Sequence, residues 1–174
     1  HLVEEGNAIP LTFKQSDFIY EGAAQALEEQ NLSAAGHAGF RLHYPLNTQA
    51  HADEFAVFLG ASYFRLVGRD QAYGLSTRGI AVDTALPQGE EFPAFRKFWL
   101  FKPGPDDPNV HIMALLDGPS LTGAYHFELT PGHSTQMQVK ATLFAREDVE
   151  KLGIAPLTSM FTHGDISAPG ADDF

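Results

Sequence analysis

The stretch GAYHFELTPGHSTQMQVKATLFA, from Gly123 to Ala145, decides the fold class. Tyr125, Phe127 and Leu129 alternate with polar neighbours, so they line one face of an extended strand. Pro131-Gly132-His133-Ser134 then supplies turn chemistry, because Pro presets φ and Gly and Ser accept tight backbone geometry. Met137, Val139, Ala141 and Leu143 resume the alternation on a returning strand. Two runs of period two about one turn predict an antiparallel hairpin.

The same period recurs outward from that hairpin. In Gly39 to Pro45, Phe40, Leu42 and Tyr44 face one way and Arg41 and His43 the other. In Tyr63 to Val67, Tyr63, Arg65 and Val67 oppose Phe64 and Leu66. Phe55 to Leu59, Phe98 to Phe101 and Val110 to Leu116 are nearly continuous apolar runs, which predicts strands covered on both faces. Gly22 to Asn31 reads as a short helix, and Arg146 to Leu152 as a second, stopped by Gly153 and Pro156. The tail from Gly164 to Phe174 has no periodicity and reads as loop. About eight to ten strands are recognisable by their spacing, which is enough for two packed sheets. The expected class is therefore mainly β: an antiparallel β-sandwich with one or two short helices.

Composition narrows the function. The chain has 174 residues with 44% hydrophobic and 19% charged side chains, ordinary globular usage for one domain. It has no Cys, so a disulfide framework, a thiolate zinc site and a cysteine nucleophile are all excluded. Eleven Lys plus Arg against 22 Asp plus Glu give a net charge of -11, a field that repels phosphate backbones and anionic bilayers. Nucleic acid is not an expected partner, and no run approaches the roughly 18 apolar residues of a membrane span. The first residue is His1 rather than Met, so the ends read as cut points, compatible with a removed export signal.

Eight His stand at 1, 37, 43, 51, 111, 126, 133 and 163, none at the close helical spacing that joins two imidazoles on one ion. No metal and no cofactor are expected. Ser62 and Ser76 lack the strained G-x-S-x-G turn of a serine nucleophile, and no phosphate-binding loop is present. The carboxylates say more. Asp83 follows Gly79-Ile80-Ala81-Val82, so it sits in an apolar strand, where a carboxylate must be paired or hydrogen-bonded. Such a setting raises a pKa toward a catalytic value, but capping by Thr84 or pairing with Arg78 explains it equally well. Glu90 and Glu91 follow a Pro87-Gln88-Gly89 turn and read as a solvated loop or as hydroxyl-binding groups. Tyr63, Tyr73 and Trp99, near Arg65, Arg78 and Arg96, combine flat rings with hydrogen-bonding charges. That mixture suits a glycan cleft, and it also suits a phenylalanine-rich core.

Longer stretches are more specific: GFRLHYPLN from Gly39 to Asn47, LGASYFR from Leu59 to Arg65, and YGLSTRGIAVDTA from Tyr73 to Ala85. GEEFP from Gly89 to Pro93, Phe98-Trp99, ALLD from Ala114 to Asp117 and KLGIAPLTSMF from Lys151 to Phe161 follow in order. From about Phe40 to Phe161 the chain closely resembles the periplasmic glucans biosynthesis protein G/D (OpgG/MdoG) family.

The resemblance implies a galactose mutarotase-like supersandwich, of which residues 1–174 form part of the N-terminal glucan-processing domain. On this resemblance, the family's C-terminal immunoglobulin-like domain is expected to lie outside these residues. It implies export to the periplasm and a role in making osmoregulated periplasmic glucans on a β-1,2-glucan backbone. Some family members look like inverting hydrolases, which need an acid and a base about 6.5 to 9.5 Å apart. Both catalytic aspartates are expected beyond the stretch matched by Asp172-Asp173-Phe174, so no catalytic residue is carried over. Tyr63, Arg65, Tyr73, Arg78, Asp83, Glu90, Glu91 and Trp99 are the expected cleft or substrate-contacting positions. A non-catalytic carbohydrate-binding or scaffold protein, working with a membrane glucosyltransferase, is the alternative. Sugar epimerisation rests on fold analogy alone.

Overall fold

A computed structural model describes residues 1–28, 30–32, 35–72 and 74–158. Its strands are β1 (Leu2–Glu4), β2 (Asn7–Ile9), β3 (Gly39–Thr48), β4 (His51–Leu59), β5 (Tyr63–Leu66) and β6 (Thr77–Arg78). They continue as β7 (Ile80–Val82), β8 (Ala94–Phe101), β9 (Val110–Asp117), β10 (Leu121–Thr130), β11 (Gln136–Ala145) and β12 (Leu152–Ile154). A six-stranded sheet runs β11-β10-β9-β8-β1-β2, a four-stranded sheet runs β3-β4-β5-β6, and β12 pairs with β7. Every pairing is antiparallel except β1 with β8.

The sandwich is held by rings that reach across it. Phe58 of β4 meets Phe127 of β10 at 5.1 Å and Phe98 of β8 at 5.6 Å. Phe64 of β5 meets Phe127 at 5.3 Å, and Phe40 of β3 meets Phe98 at 4.9 Å. Most of these pairs are edge-to-face, the arrangement the ring quadrupole favours. Leu46, Ile80, Val82, Ile112, Leu116 and Leu129 complete the buried core. Gly79, between β6 and β7, has no room for a side chain, since a Cβ there would lie 2.9 Å from the Phe95 ring.

The hairpin forms as its alternation requires: β10 and β11 pair from Leu121↔Ala145 to Thr130↔Gln136, with Tyr125, Phe127 and Leu129 buried. Three expectations are corrected. The stretch from Arg146 to Leu152 is not a helix; it runs irregularly into β12, because Leu152, Gly153 and Ile154 pair with Val82, Ala81 and Ile80. Sheet partners there outweigh the helix propensity of Arg, Glu and Lys. The stretch from Gly22 to Asn31 coils only as a 3-10 helix over Gly22–Leu27. The run from Val110 to Leu116 is covered on one face: Ile112, Ala114 and Leu116 are buried while Met113 and Leu115 face outward.

The phenol of Tyr125 donates to the Gly79 carbonyl at 3.1 Å, tying the two halves of the core. Burial pushes its pKa up to about 12, against about 10 in an unfolded chain. The folded state therefore keeps a proton that the unfolded state releases. Stability from this group is complete below about pH 10 and declines as pH rises toward the folded value. Denaturant melts at rising alkaline pH should show this slope, and Tyr125→Phe should flatten it. Parallel decline in both proteins would assign the slope to other groups.

Candidate functional site

Strand alternation places Tyr63 and Arg65 on one face of β5, turned away from buried Phe64. Register sets Arg78 of β6 directly opposite Tyr63, and Val57 and Leu59 of β4 opposite Arg65 and Tyr63. Arg41 of β3, opposite Val57, extends the same face. Glu54 sits between two cations, 3.1 Å from Arg41 and 4.0 Å from Arg65. The result is a polar row across the outer face of the four-stranded sheet.

A groove follows that row. One part, about 920 Å3, lies between Arg41, Glu54, Val57 and Arg65 and the rings of Phe13, Phe18 and His37. These three rings cluster, with Phe13 and Phe18 stacked at 5.0 Å. A second part, about 540 Å3, opens between the two sheets, past Phe40, Phe58, Phe95 and Phe98, and reaches Tyr63, Arg96 and Lys97. A third, about 300 Å3, is lined by Gly60, Tyr63, Arg65 and Ser76. Tyr63 is shared by the second and third, so its ring stands where they meet.

Arg78 and Glu90 form an ion pair beside this groove, and Thr84 Oγ1 donates to the same Glu90 oxygen at 3.0 Å. Phe92 and Tyr63 flank the guanidinium, their ring centres 4.7 and 5.6 Å from its carbon. Arg78 holds the Glu90 carboxyl below its ordinary range, with Thr84 adding to the effect against the opposing pull of burial. The stabilisation is therefore present above the unfolded value of about 4.3 and is lost as pH falls through the lower folded value. Comparing wild type with Glu90→Gln in acid denaturation should show the wild-type advantage shrinking as pH drops. A pH-independent difference would refute the coupling.

The other candidates lie elsewhere. Asp83 ends β7 with φ at 56°, outside the strand, and does not pair with Arg78. Its N–H donates to the Lys151 carbonyl at 2.8 Å and its carboxylate accepts the Lys151 N–H at 2.9 Å. That reciprocal clamp holds the approach to β12 against β7. Glu91 accepts the Ser120 N–H at 3.2 Å on each oxygen and the Ser120 hydroxyl as well. Gly118 makes room for it, since a Cβ there would fall 2.5 Å from a Glu91 oxygen. Trp99 is on the opposite face of β8 from Phe98 and Leu100; it pairs across with exposed Met113 and packs on His1 and Lys97. Tyr73 lies outside the described residues.

Residue pattern alone missed Arg41, Glu54, His37 and Phe92. The alternation of β3 and β4 marks Arg41 as outward, but its partner depends on a bulge between Leu42 and His43. It also missed that His111 and His126, 15 residues apart, meet at 3.2 Å across β9 and β10. Hairpin register is the signal that would have found them. Among the described residues, no group of three or more His, Asp or Glu side chains is placed to hold a metal ion. No helix among them is long and apolar enough to cross a membrane.

Comparison with known proteins gives this geometry a context. The family model described as periplasmic glucan biosynthesis protein, MdoG, matches residues 1–174. The glucans biosynthesis protein G of Ralstonia nicotianae is 53% identical over 156 residues, covering 90% of this chain and 31% of that protein. The protein of the same name from Shewanella frigidimarina is 48% identical over 175 residues, 99% of this chain and 31% of its own length. That from Pseudomonas paraeruginosa is 51% identical over 155 residues, 89% of this chain and 29% of its own. The chain thus spans about a third of the length of the curated relatives it matches.

Proposed function

The chain belongs to the MdoG family of periplasmic glucan biosynthesis proteins, and from that premise we propose that it forms the sugar-holding wall of a protein that makes periplasmic glucans. The groove beside Tyr63 carries this reading. It offers rings for the apolar faces of glucose and Arg and Glu side chains for its hydroxyls, the usual composition of a carbohydrate site. The proposed ligand is a β-1,2-linked glucan backbone, and the proposed location is the periplasm.

The carboxylates at the groove favour holding over proton transfer. An inverting hydrolase needs one carboxyl kept protonated, which means a raised pKa. Glu90 is instead held low by Arg78, and Glu54 is engaged by Arg41 and Arg65. The acid and base of hydrolysis are therefore proposed to lie outside the described residues. The same engagement suits the second reading, a binding or scaffold protein acting beside a membrane glucosyltransferase.

Linear β-1,2-gluco-oligosaccharides offered to the complete gene product test both. Binding is expected, with Tyr63→Ala weakening it about tenfold, equivalent to about 1.4 kcal/mol. Shortened products would establish hydrolysis, and binding without turnover the scaffold role. Undiminished affinity in the Tyr63 variant would remove the groove from the account.

A further inference from the structure

Arg78 is buried, its side chain only 8% exposed. Its Nη1 is engaged by Glu90, but its Nε and Nη2 are enclosed and have no hydrogen-bond partner. Buried donors are almost always satisfied, so a buried guanidinium with open donors marks a place where an acceptor belongs. Nε–H and one Nη2–H project side by side, a rigid two-pronged fork that matches two neighbouring oxygens. Arg78 stands behind the groove wall rather than in it, next to Tyr63. Arg78 faces Tyr63 across the β5–β6 ladder, and Ser76, two residues before it, lines the same pocket as Tyr63 and Arg65.

Charge selects among two-oxygen ligands. A carboxylate or phosphate would suit a free guanidinium, but here Glu90 already balances the positive charge. Bringing a second anion to a neutralised, buried pair adds repulsion and desolvation without a matching gain. Two adjacent hydroxyls of an uncharged pyranose supply both acceptors at no electrostatic cost. The ring of Tyr63, its centre 5.6 Å from the guanidinium carbon, suits the flat face of such a sugar. Phe92 is 53% exposed, so it is the neighbour free to swing aside and admit the ligand.

We propose that Arg78 is the specificity-determining residue of the groove, its open fork taking two vicinal hydroxyls of a neutral glucose unit while Glu90 turns anionic sugars away. This rests on the glucan-holding reading above. The test uses the complete gene product with two probes, a neutral linear β-1,2-glucan oligosaccharide and its carboxymethylated form, titrated by calorimetry. Arg78→Lys keeps a cation beside Glu90 and removes the fork; it should bind the neutral probe about tenfold more weakly. Glu90→Gln keeps the shape and leaves the fork charged. It should shift the ratio of neutral to carboxymethyl affinity about tenfold toward the anion. If Arg78→Lys does not fold, the Glu90→Gln ratio decides alone. A wild type that binds the neutral probe, with either variant retaining both its affinity and its ratio, overturns the assignment to Arg78 and leaves the glucan reading intact. A wild type that binds neither probe overturns the glucan reading itself.

Discussion

Phe127→Ala is expected to cost about 3 to 5 kcal/mol of folding stability, a large part of the roughly 5 to 15 kcal/mol that holds a typical domain together. Phe127 is fully buried at the middle of β10 and touches rings from both sheets. Phe58 and Phe64 approach from the four-stranded sheet, and Phe95 and Tyr125 from its own. Truncation would leave a void with partners on every side, and edge-to-face rings on two opposed sheets cannot both collapse into it. Val139 supplies the internal control. It sits directly opposite Phe127 in the ladder, with the same strand geometry, yet it is 45% exposed. Val139→Ala should cost less than about 1 kcal/mol, because little of its surface leaves water on folding. Urea melts of the two variants measure the difference. Equal costs would mean that the ring cluster is not what joins the sheets.

That contrast shows what was legible in the sequence. Period two located the β10–β11 hairpin, β3 and β5, since alternation is a local property of the chain. It did not show which strand stops being covered. Val139 and Ala141 read as the alternating positions of the returning strand, and they face the core side, but among the described residues β11 is the outermost strand of its sheet and its centre is exposed. In the opposite direction, Met113 and Leu115 looked like members of a doubly covered run and instead face outward. The composition of the stretch from Arg146 to Leu152 favours a helix, and the pairing of Leu152–Ile154 with Ile80–Val82, with the contact of Lys151 to Asp83, 68 residues away in sequence, draws its end into a sheet.

The site was legible as a set of residue types and not as a set of partners. Tyr63, Arg65, Arg78 and Glu90 do gather along one face, because β5 and β6 put the first three there by register. That Arg78 would choose Glu90 over Asp83 depends on the path of the turn after β7. The backbone of Asp83 and Ala85 adopts positive φ, at 56° and 61°, carrying Asp83 toward Lys151 and Glu90 back toward Arg78. Nothing in the residue pattern announces two left-handed excursions, one residue apart, at non-glycine positions, which are uncommon in themselves.

The chain expressed as these 174 residues is expected to bind a hydrophobic dye and to associate as its concentration rises. Phe98 to Phe101, a run that reads as covered on both faces, is only half-buried, and barer surface lies elsewhere. Met113 and Leu115, 46% and 41% exposed, share the outer face of the six-stranded sheet with Trp99, and Phe144 at 57% stands on the same face of β11. On the core side Val139 is uncovered, and near β12 Ile154 and Leu157 reach 76% and 64%. A contiguous apolar patch beyond a few hundred Å2 usually marks an interface. The edge aggravates this, because β11 is ten residues long, pairs only with β10 among the described residues, and carries Lys140 as its one charged side chain. Long, weakly charged edges recruit further strands. Replacing Val139 and Phe144 together by Lys should lower dye fluorescence several-fold and favour the monomer in sedimentation, at a stability cost of about 1 kcal/mol or less. Surface burial by β-edge addition would then be the route of association. A wild-type chain that stays monomeric and leaves the dye dark would show that this face needs no cover, and a double variant that associates as strongly as wild type would move the contact away from β11.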